Sequence, residues 1–391
     1  MEFKKISNYK EMIEISALAF SFEKKDQGDL EKLLRKLDEN GRYFYGVYDE
    51  ETLVAACVVY PYQMRFRDSI VTMGGIALVC SRQDYRGKGG VRMLLSGTLE
   101  SLRELGHSVS VLYPFQRDFY RKYGWEIFDR WQLLKFSPGS LRDLEFHDVE
   151  ARDMAFPDDQ MKAFYREYAS SHLNYVVRND ADWQDRFYPV WSSQIAKRIV
   201  KFSSKGEVVG LMDYSINSDH KDGGYFHTIL TFVHKDENAR RAMFSYIKGL
   251  SHQVSKVHLW QPATFESWPY LSDRPDECTL RETSMIRIVD LMKLSGIRMS
   301  TPDLSITMKV DDKQCSWNNG VFTIGVHDGI LNLERGKEDE AELEIGIGAL
   351  STVIGGRESL SRLIEIGLAK PLEGYKGTDI ERCEVFMIEP F

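Results

Sequence analysis

The chain of 391 residues is 43% hydrophobic and 28% charged, a mix that belongs to a folded protein with room for two or three domains. Its 59 acidic against 51 basic side chains, a net charge of −8, argue against nucleic acid as a general partner and favour cationic small molecules. No apolar run approaches the roughly 20 residues needed to cross a bilayer, no signal-peptide pattern opens the chain, and the five cysteines (Cys57, Cys80, Cys278, Cys315, Cys383) lack Cys-x-x-Cys spacing. Metal and disulfide frameworks are therefore poorly supported, and a reducing cytoplasm is the expected setting.

In chain order, helical periodicity comes first, through Met12, Ile13, Ile15, Ala17 and Phe20 and then Leu30, Leu33, Leu34 and Leu37. A hairpin follows, Tyr43 to Tyr48 and Leu53 to Tyr60 around Asp49-Glu50-Glu51. The strand from Gly74 to Val79 runs on through Cys80 and Ser81 towards a basic, glycine-rich turn, Arg86-Gly-Lys-Gly-Gly-Val-Arg92, and then into a helix. Backbone N–H groups left unpaired at a helix start make an anion site, and glycines let that backbone approach a phosphate closely. The spacing is neither the Gly-x-x-x-x-Gly-Lys-Ser/Thr of a nucleoside-triphosphate loop nor the Gly-x-Gly-x-x-Gly of a dinucleotide fold. Gly106 to Tyr113 reads as a turn and a buried strand, followed by the aromatic helix Pro114-Phe-Gln-Arg-Asp-Phe-Tyr-Arg-Lys-Tyr-Gly-Trp125.

Ser137-Pro-Gly-Ser140 breaks the pattern, which restarts with a helix over Asp153 to Tyr168, strands at Ile199 to Phe202, Val208 to Tyr214 and Gly224 to Phe232, and a helix over Glu237 to Gly249. The order of the first unit repeats, but without an Arg-x-x-Gly turn. Val233-His-Lys-Asp-Glu-Asn238 puts acidic residues where a pyrophosphate needs amides and cations, so no cofactor is expected there. A third start at Met285 to Leu294 reads as helix or strand. Short antiparallel strands follow at Leu304 to Val310, Gly320 to Val326 and Ile330 to Leu333, with a turn at Trp317-Asn-Asn-Gly320. Helices at Ile345 to Ile354 and Leu360 to Leu368 flank Gly355-Gly356; they either line an apolar tunnel or fill a core. The chain finishes Cys383-Glu-Val-Phe-Met-Ile-Glu-Pro-Phe391, alternating apolar residues as a packed segment would, whereas termini usually fray.

Arg86, Gly89, Phe119, Tyr120, Gly124 and Trp125 together resemble the GNAT acetyltransferases, whose pyrophosphate loop has the form Arg/Gln-x-x-Gly-x-Gly/Ala. Val91 departs from that form, and Arg86 to Leu95 is more similar to the Eis (enhanced intracellular survival) branch, which tolerates bulk there and keeps an arginine at the place of Arg92. The resemblance covers the whole chain. It implies an α/β (α+β) protein: tandem GNAT folds, with mixed, mostly antiparallel sheets flanked by helices, then a sterol-carrier-protein-like α+β domain. The expected divisions are a catalytic unit over 1–140, a degenerate unit without cofactor loop over 141–284, and the last domain over 285–391.

For the site, the resemblance implies an acetyl-CoA-dependent N-acetyltransferase without a metal. Main-chain groups at Val79, Cys80 and Ser81 would hold the thioester arm as an added strand, and Arg86, Gly87, Lys88, Gly89, Gly90, Val91 and Arg92 the pyrophosphate, with Phe115 and Gln116 also on the cofactor. Tyr120 is the implied general acid, its ordinary pKa near 10 keeping it protonated at neutral pH, with Tyr123 a nearby competitor. The strand Gly74 to Val79 has no Asp or Glu to serve as base. In the Eis branch that role falls to the carboxylate of the last residue, here Phe391, with Glu389 and Glu126 as alternatives. Cys80 has no adjacent His or Lys to activate it as a nucleophile, and none of the nine histidines has a metal or serine partner in sequence. The acceptor would be a primary amine of an aminoglycoside, lysine side chain or polyamine, bound among Phe20 to Leu37, Leu78 and the tail. The resemblance also implies a homohexamer. A different class stays open: a regulatory protein that senses acetyl-CoA or holds an apolar ligand in its last domain.

Overall fold

The computed structural model describes residues 1–21, 27–172, 174–188, 194–218, 224–387, 389 and 391. Two compact units emerge, one of Met1–Asp129, Leu173–Val176 and Glu282–Phe391, the other of Arg130–His172 and Val177–Arg281.

The first unit opens with β1 (Glu2–Lys5), α1 (Glu11–Ala19) and α2 (Gln27–Glu39). Leu30, Leu34 and Leu37 recur at helical spacing and are the buried residues of α2. The hairpin β2 (Tyr43–Asp49) and β3 (Thr52–Phe66) turns at Glu50, whose φ is +54°. β3 is buried on both faces from Leu53 to Tyr60, hence its unbroken apolar run. It continues past the expected end to pair with β4 (Ser69–Ser81). Then come α3 (Gly90–Glu104), β5 (Val109–Leu112), α4 (Arg117–Arg121) and β6 (Glu126–Ile127).

The second unit holds β7 (Trp131–Phe136), β8 (Glu150–Met154), α5 (Asp159–Ser171), α6 (Asp180–Phe187), β9 (Gln194–Ser204), β10 (Glu207–Ser218), β11 (Tyr225–His234), α7 (Glu237–Gly249), β12 (Val254–Pro262) and β13 (Glu277–Arg281). Among the described residues its seven strands run β13-β7-β12-β11-β10-β9-β8, with only β11–β12 parallel. The helix expected over Asp153 to Tyr168 begins later. Glu150–Met154 is an edge strand on β9, and the helix starts where Asp158 accepts a hydrogen bond from the Met161 N–H at 2.9 Å. Sequence reasoning missed α6, which a reciprocal Asn179–Asp182 capping box starts. At the head of α7 the Asp236 carboxylate caps Ala239 N–H at 2.8 Å, filling with a side-chain anion the place a phosphate would take.

The chain then returns to the first unit. Met285–Ile288, expected as helix or strand leading into the last domain, is β14 and lies between β5 and β6, completing the sheet β1-β2-β3-β4-β5-β14-β6. Only β4–β5 is parallel there. Beyond it are β15 (Leu304–Asp311), β16 (Gly320–His327), β17 (Ile330–Arg335), β18 (Leu343–Gly346), α8 (Ile347–Ile354), α9 (Leu360–Glu365) and β19 (Ala369–Pro371), in a sheet ordered β17-β16-β15-β18-β19. The helix expected from Ile345 starts two residues later because Leu343–Gly346 pairs with β15. Ile347, Leu350, Val353 and Ile354 are buried in a core shared with Phe128, Ile286, Ile288 and Phe322, so α8 fills a core. After β19 the tail forms no strand among its described residues, yet Val385, Phe386, Met387 and Glu389 are buried.

Candidate active site

β4 carries the feature that opens the site. Its pairing with β3 runs Ala55↔Ser81 and Ala56↔Cys80, then jumps to Val58↔Ala77, so Leu78 and Val79 bulge opposite Cys57. Leu78 takes φ +50°, a left-handed conformation that L residues adopt at a cost. On the other side, β5 pairs with β4 only from Met73 to Ile76. Past that point the two parallel strands separate, and the β4 edge from Ala77 to Ser81 has no strand partner among the described residues. A free edge presents N–H and C=O groups at ladder spacing to any extended chain.

The glycine-rich turn follows this edge. Gly87 and Gly89 have φ +79° and +87°, and Gly89 is the N-cap of α3, with no side chain bonded to the first-turn N–H groups among the described residues. Lys88 lies 4.6 Å from the Tyr85 ring, and neither Arg86 nor Arg92 is ion-paired among the described residues. A cleft of about 940 Å³ is lined by Val79, Cys80, Ser81, every residue from Arg86 to Arg92, and Phe115. Gln116, the exposed residue before α4, is not part of that lining. Uncapped N–H groups, three cations and a strand edge in one cleft fit a phosphate-bearing molecule with an extended amide arm, as acetyl-CoA is.

Tyr120 sits on α4, 2% exposed, with ring centroids of Phe119, Phe115 and Trp125 at 5.2, 5.5 and 6.4 Å. Burial, with a smaller contribution from the nearby Cys57, pushes its hydroxyl above the ordinary tyrosine range. Tyr123 lines the cleft; burial raises it too, and Arg92 opposes the rise. The Cys80 thiol bonds to Ala56 O at 3.5 Å and is pushed up to about 11 by burial, so it is no thiolate at neutral pH.

The tail reaches β4 further back. A methyl on Gly75 would stand 2.9 Å from two carbons of the Phe391 ring, so only glycine leaves room for it. The rings of Tyr113, Tyr62 and Tyr60 surround Phe391 at 5.2, 5.5 and 5.6 Å, and Tyr113 donates to the Glu389 carbonyl at 3.2 Å. Upstream, buried Arg67 donates to the carbonyls of Val353, Ile354 and Glu381, and Cys383 N–H bonds to Gly356 O at 2.7 Å. Glu126, weighed as an alternative base, is gripped by Arg121 at 2.8 to 3.0 Å. Of the predicted tail and acceptor residues, Ile388, Pro390 and the stretch 22–26 lie outside the described residues. Sequence reasoning missed Gly75, Tyr60, Tyr62 and Tyr113 as the seat of the tail. The signal available was the Gly74-Gly75 pair, since glycine inside a strand marks close approach by another group.

Comparison with known proteins agrees with this geometry. Residues 4–128 match an acetyltransferase (GNAT) domain model, 174–288 match a second, and 292–386 match a sterol carrier protein domain model. No curated protein matches the chain. Among solved structures the chain is similar to a GCN5-related N-acetyltransferase from Anabaena variabilis (21% identity, TM-score 0.86, 100% of both chains). It is similar to another from Kribbella flavida (20%, 0.81, 100% of this chain and 98% of that one) and to Eis1 from Mycobacterium abscessus (16%, 0.78, 100% of both). The chain thus carries two acetyltransferase (GNAT) domains ahead of a sterol carrier protein domain, in a fold that it shares with Eis1.

Proposed function

We propose that the chain transfers acetyl from acetyl-CoA to a primary amine of a polyamine-like acceptor, an aminoglycoside, a lysine side chain or a polyamine, by direct attack in a ternary complex. The observation that carries the reading is the splayed β4, whose free edge and glycine-rich turn lie in one cleft while Gly75 on the same strand seats Phe391. Arg86, Lys88, Arg92 and the α3 N-terminus would hold the pyrophosphate, and the β4 edge at Val79 to Ser81 the pantetheine arm. In the transfer, the amine nitrogen bonds to the thioester carbonyl carbon and the carbon–sulfur bond breaks. The Phe391 carboxylate takes the first proton, which the ammonium must lose before it attacks; Tyr120 gives its proton to the departing thiolate, and the second proton that the nitrogen sheds as the amide forms restores the tyrosine. An ordinary α-carboxylate titrates near 3.5, so this role requires the bound substrates to shield it from water; the three tyrosine rings around the Phe391 side chain hold the tail in place. The acidic excess of the chain favours cationic acceptors. The same reading places the enzyme in the cytoplasm as a hexameric ring, which a mass measurement in solution checks.

The test is CoA release from acetyl-CoA with aminoglycosides, polyamines and lysine peptides in turn. Amine-dependent release is expected. CoA binding without release above background would leave a sensor in place of an enzyme for these acceptors.

A further inference from the structure

The segment that ends α4 is held from an unexpected quarter. Arg287 on β14 is fully buried; one terminal nitrogen donates to the Tyr123 carbonyl, and the other grips both oxygens of Asp312, also fully buried, at 2.8 and 2.7 Å. Asp312 belongs to the turn after β15 in the C-terminal domain, where its carboxylate also accepts from the N–H groups of Gln314 and Cys315 and from Asn318 Nδ2, all at 3.1 Å. Gly124, at φ +86°, has no room for a side chain. A methyl there would lie 1.8 Å from the Arg287 guanidinium and 2.8 Å from Ile347 of α8. The Arg287 guanidinium also lies 5.5 Å from the Trp125 ring, which itself packs on Tyr120.

Stability alone does not account for this pair. Taking two charges wholly out of water costs about as much as their attraction returns, and apolar side chains of similar volume often serve as well. Arg287 Nε, moreover, is buried with no well-aligned hydrogen-bond partner among the described residues. What an apolar replacement could not supply is the bond to the Tyr123 carbonyl, which fixes the turn three residues beyond Tyr120. We propose that Arg287 is a positioning residue for Tyr120, and that Asp312 and α8 make the C-terminal domain a working part of the transfer site. The inference rests on Tyr120 as the proton donor.

The experiment is a double-mutant cycle on the full chain, with kcat and the acetyl-CoA KM measured for R287K, Y120F and the pair. Lysine keeps the charge but cannot bridge Asp312 and the carbonyl in one plane. R287K is expected to lose roughly 10- to 100-fold in kcat, the scale of an ångström of misplacement, with KM and the rise in Tm on adding CoA unchanged. In the Y120F background R287K should remove nothing further. N318A, which removes a bond to Asp312 along with those to the Leu291 N–H and the Val289 carbonyl but neither charge, carries the same test if R287K does not fold. Wild-type kcat in a folded R287K, a parallel loss of CoA affinity, or losses that multiply in the double variant would each overturn the positioning role while leaving Tyr120 as the acid. Unchanged kcat in Y120F would instead remove the tyrosine, and this proposal with it.

Discussion

At Tyr120 and Cys80 one physical cause, removal from water, has opposite consequences for chemistry. It holds the tyrosine hydroxyl protonated beyond its ordinary range, as a donor to thiolate must be, and it holds the Cys80 thiol protonated too, which disarms it as a nucleophile. Y120F should therefore lower kcat by about 100-fold or more, the usual yield of a positioned acid, while CoA still raises the melting temperature. Because the hydroxyl's pKa is raised, kcat should show no alkaline fall from this group up to pH 9.5; a fall centred below pH 9 would identify another acid. His107 shows the converse. Burial, with Lys293 adding to it, depresses this ring to about 4, and its Nδ1 has no partner among the described residues. The unfolded chain takes up a proton near pH 6.5 that the folded chain refuses until about 4, so this stability is complete above 6.5 and is lost as pH falls through that window. H107Q should flatten the decline in Tm between pH 7 and 5, and an unchanged slope would sink the assignment.

The elements show how far local sequence reaches. The loop and α3 were legible because glycine, charge and apolar periodicity are local signals, and α7 begins and ends at Glu237 and Gly249 as the periodicity implies. β8 was not, since four of its five residues are exposed and offer no alternation to read. Nor was the left-handed turn at Leu78, which lies in the bulge of β4 against β3 and which a residue of its type does not prefer. The apolar alternation of the tail indicated packing, but its partner Gly75 lies far off in the chain and only the fold names it. Two glycines test the elements directly. G75A should push the Phe391 ring from its seat, lowering kcat while CoA binding persists; equal kcat would separate the tail from turnover. G89A has space for its methyl but a φ of +87°, and the left-handed conformation costs a non-glycine residue about 1–2 kcal/mol. If the turn relaxes in the free protein and CoA must restore it, affinity should fall by roughly tenfold.

At the scale of the whole molecule, the third domain match begins at Leu291's neighbour, residue 292, yet the physical core does not divide there. Phe128, Ile286 and Ile288 on the side of the first sheet form one continuous buried cluster with Met308, Phe322, Leu350 and Val353 from the C-terminal domain. Polar bonds cross the same junction: Ile288 N–H to Ser351 Oγ at 2.8 Å, and Arg67 to the last carbonyls of α8. Opening one side would expose apolar surface and orphan buried polar groups on the other, so neither has a cheap way to unfold alone. Native-state hydrogen exchange should then give amides of β5 and β14 the same opening free energy, and the same denaturant dependence, as amides of β15 and β16. Stabilisation by CoA, on the proposed binding in the cleft beside β4, should slow exchange at β15 and β16 by the factor it produces at β5. If β15 and β16 exchange through a smaller opening that CoA leaves untouched, the C-terminal domain is an independent passenger, and the link from Asp312 through Arg287 to the helix of Tyr120 carries no mechanical load.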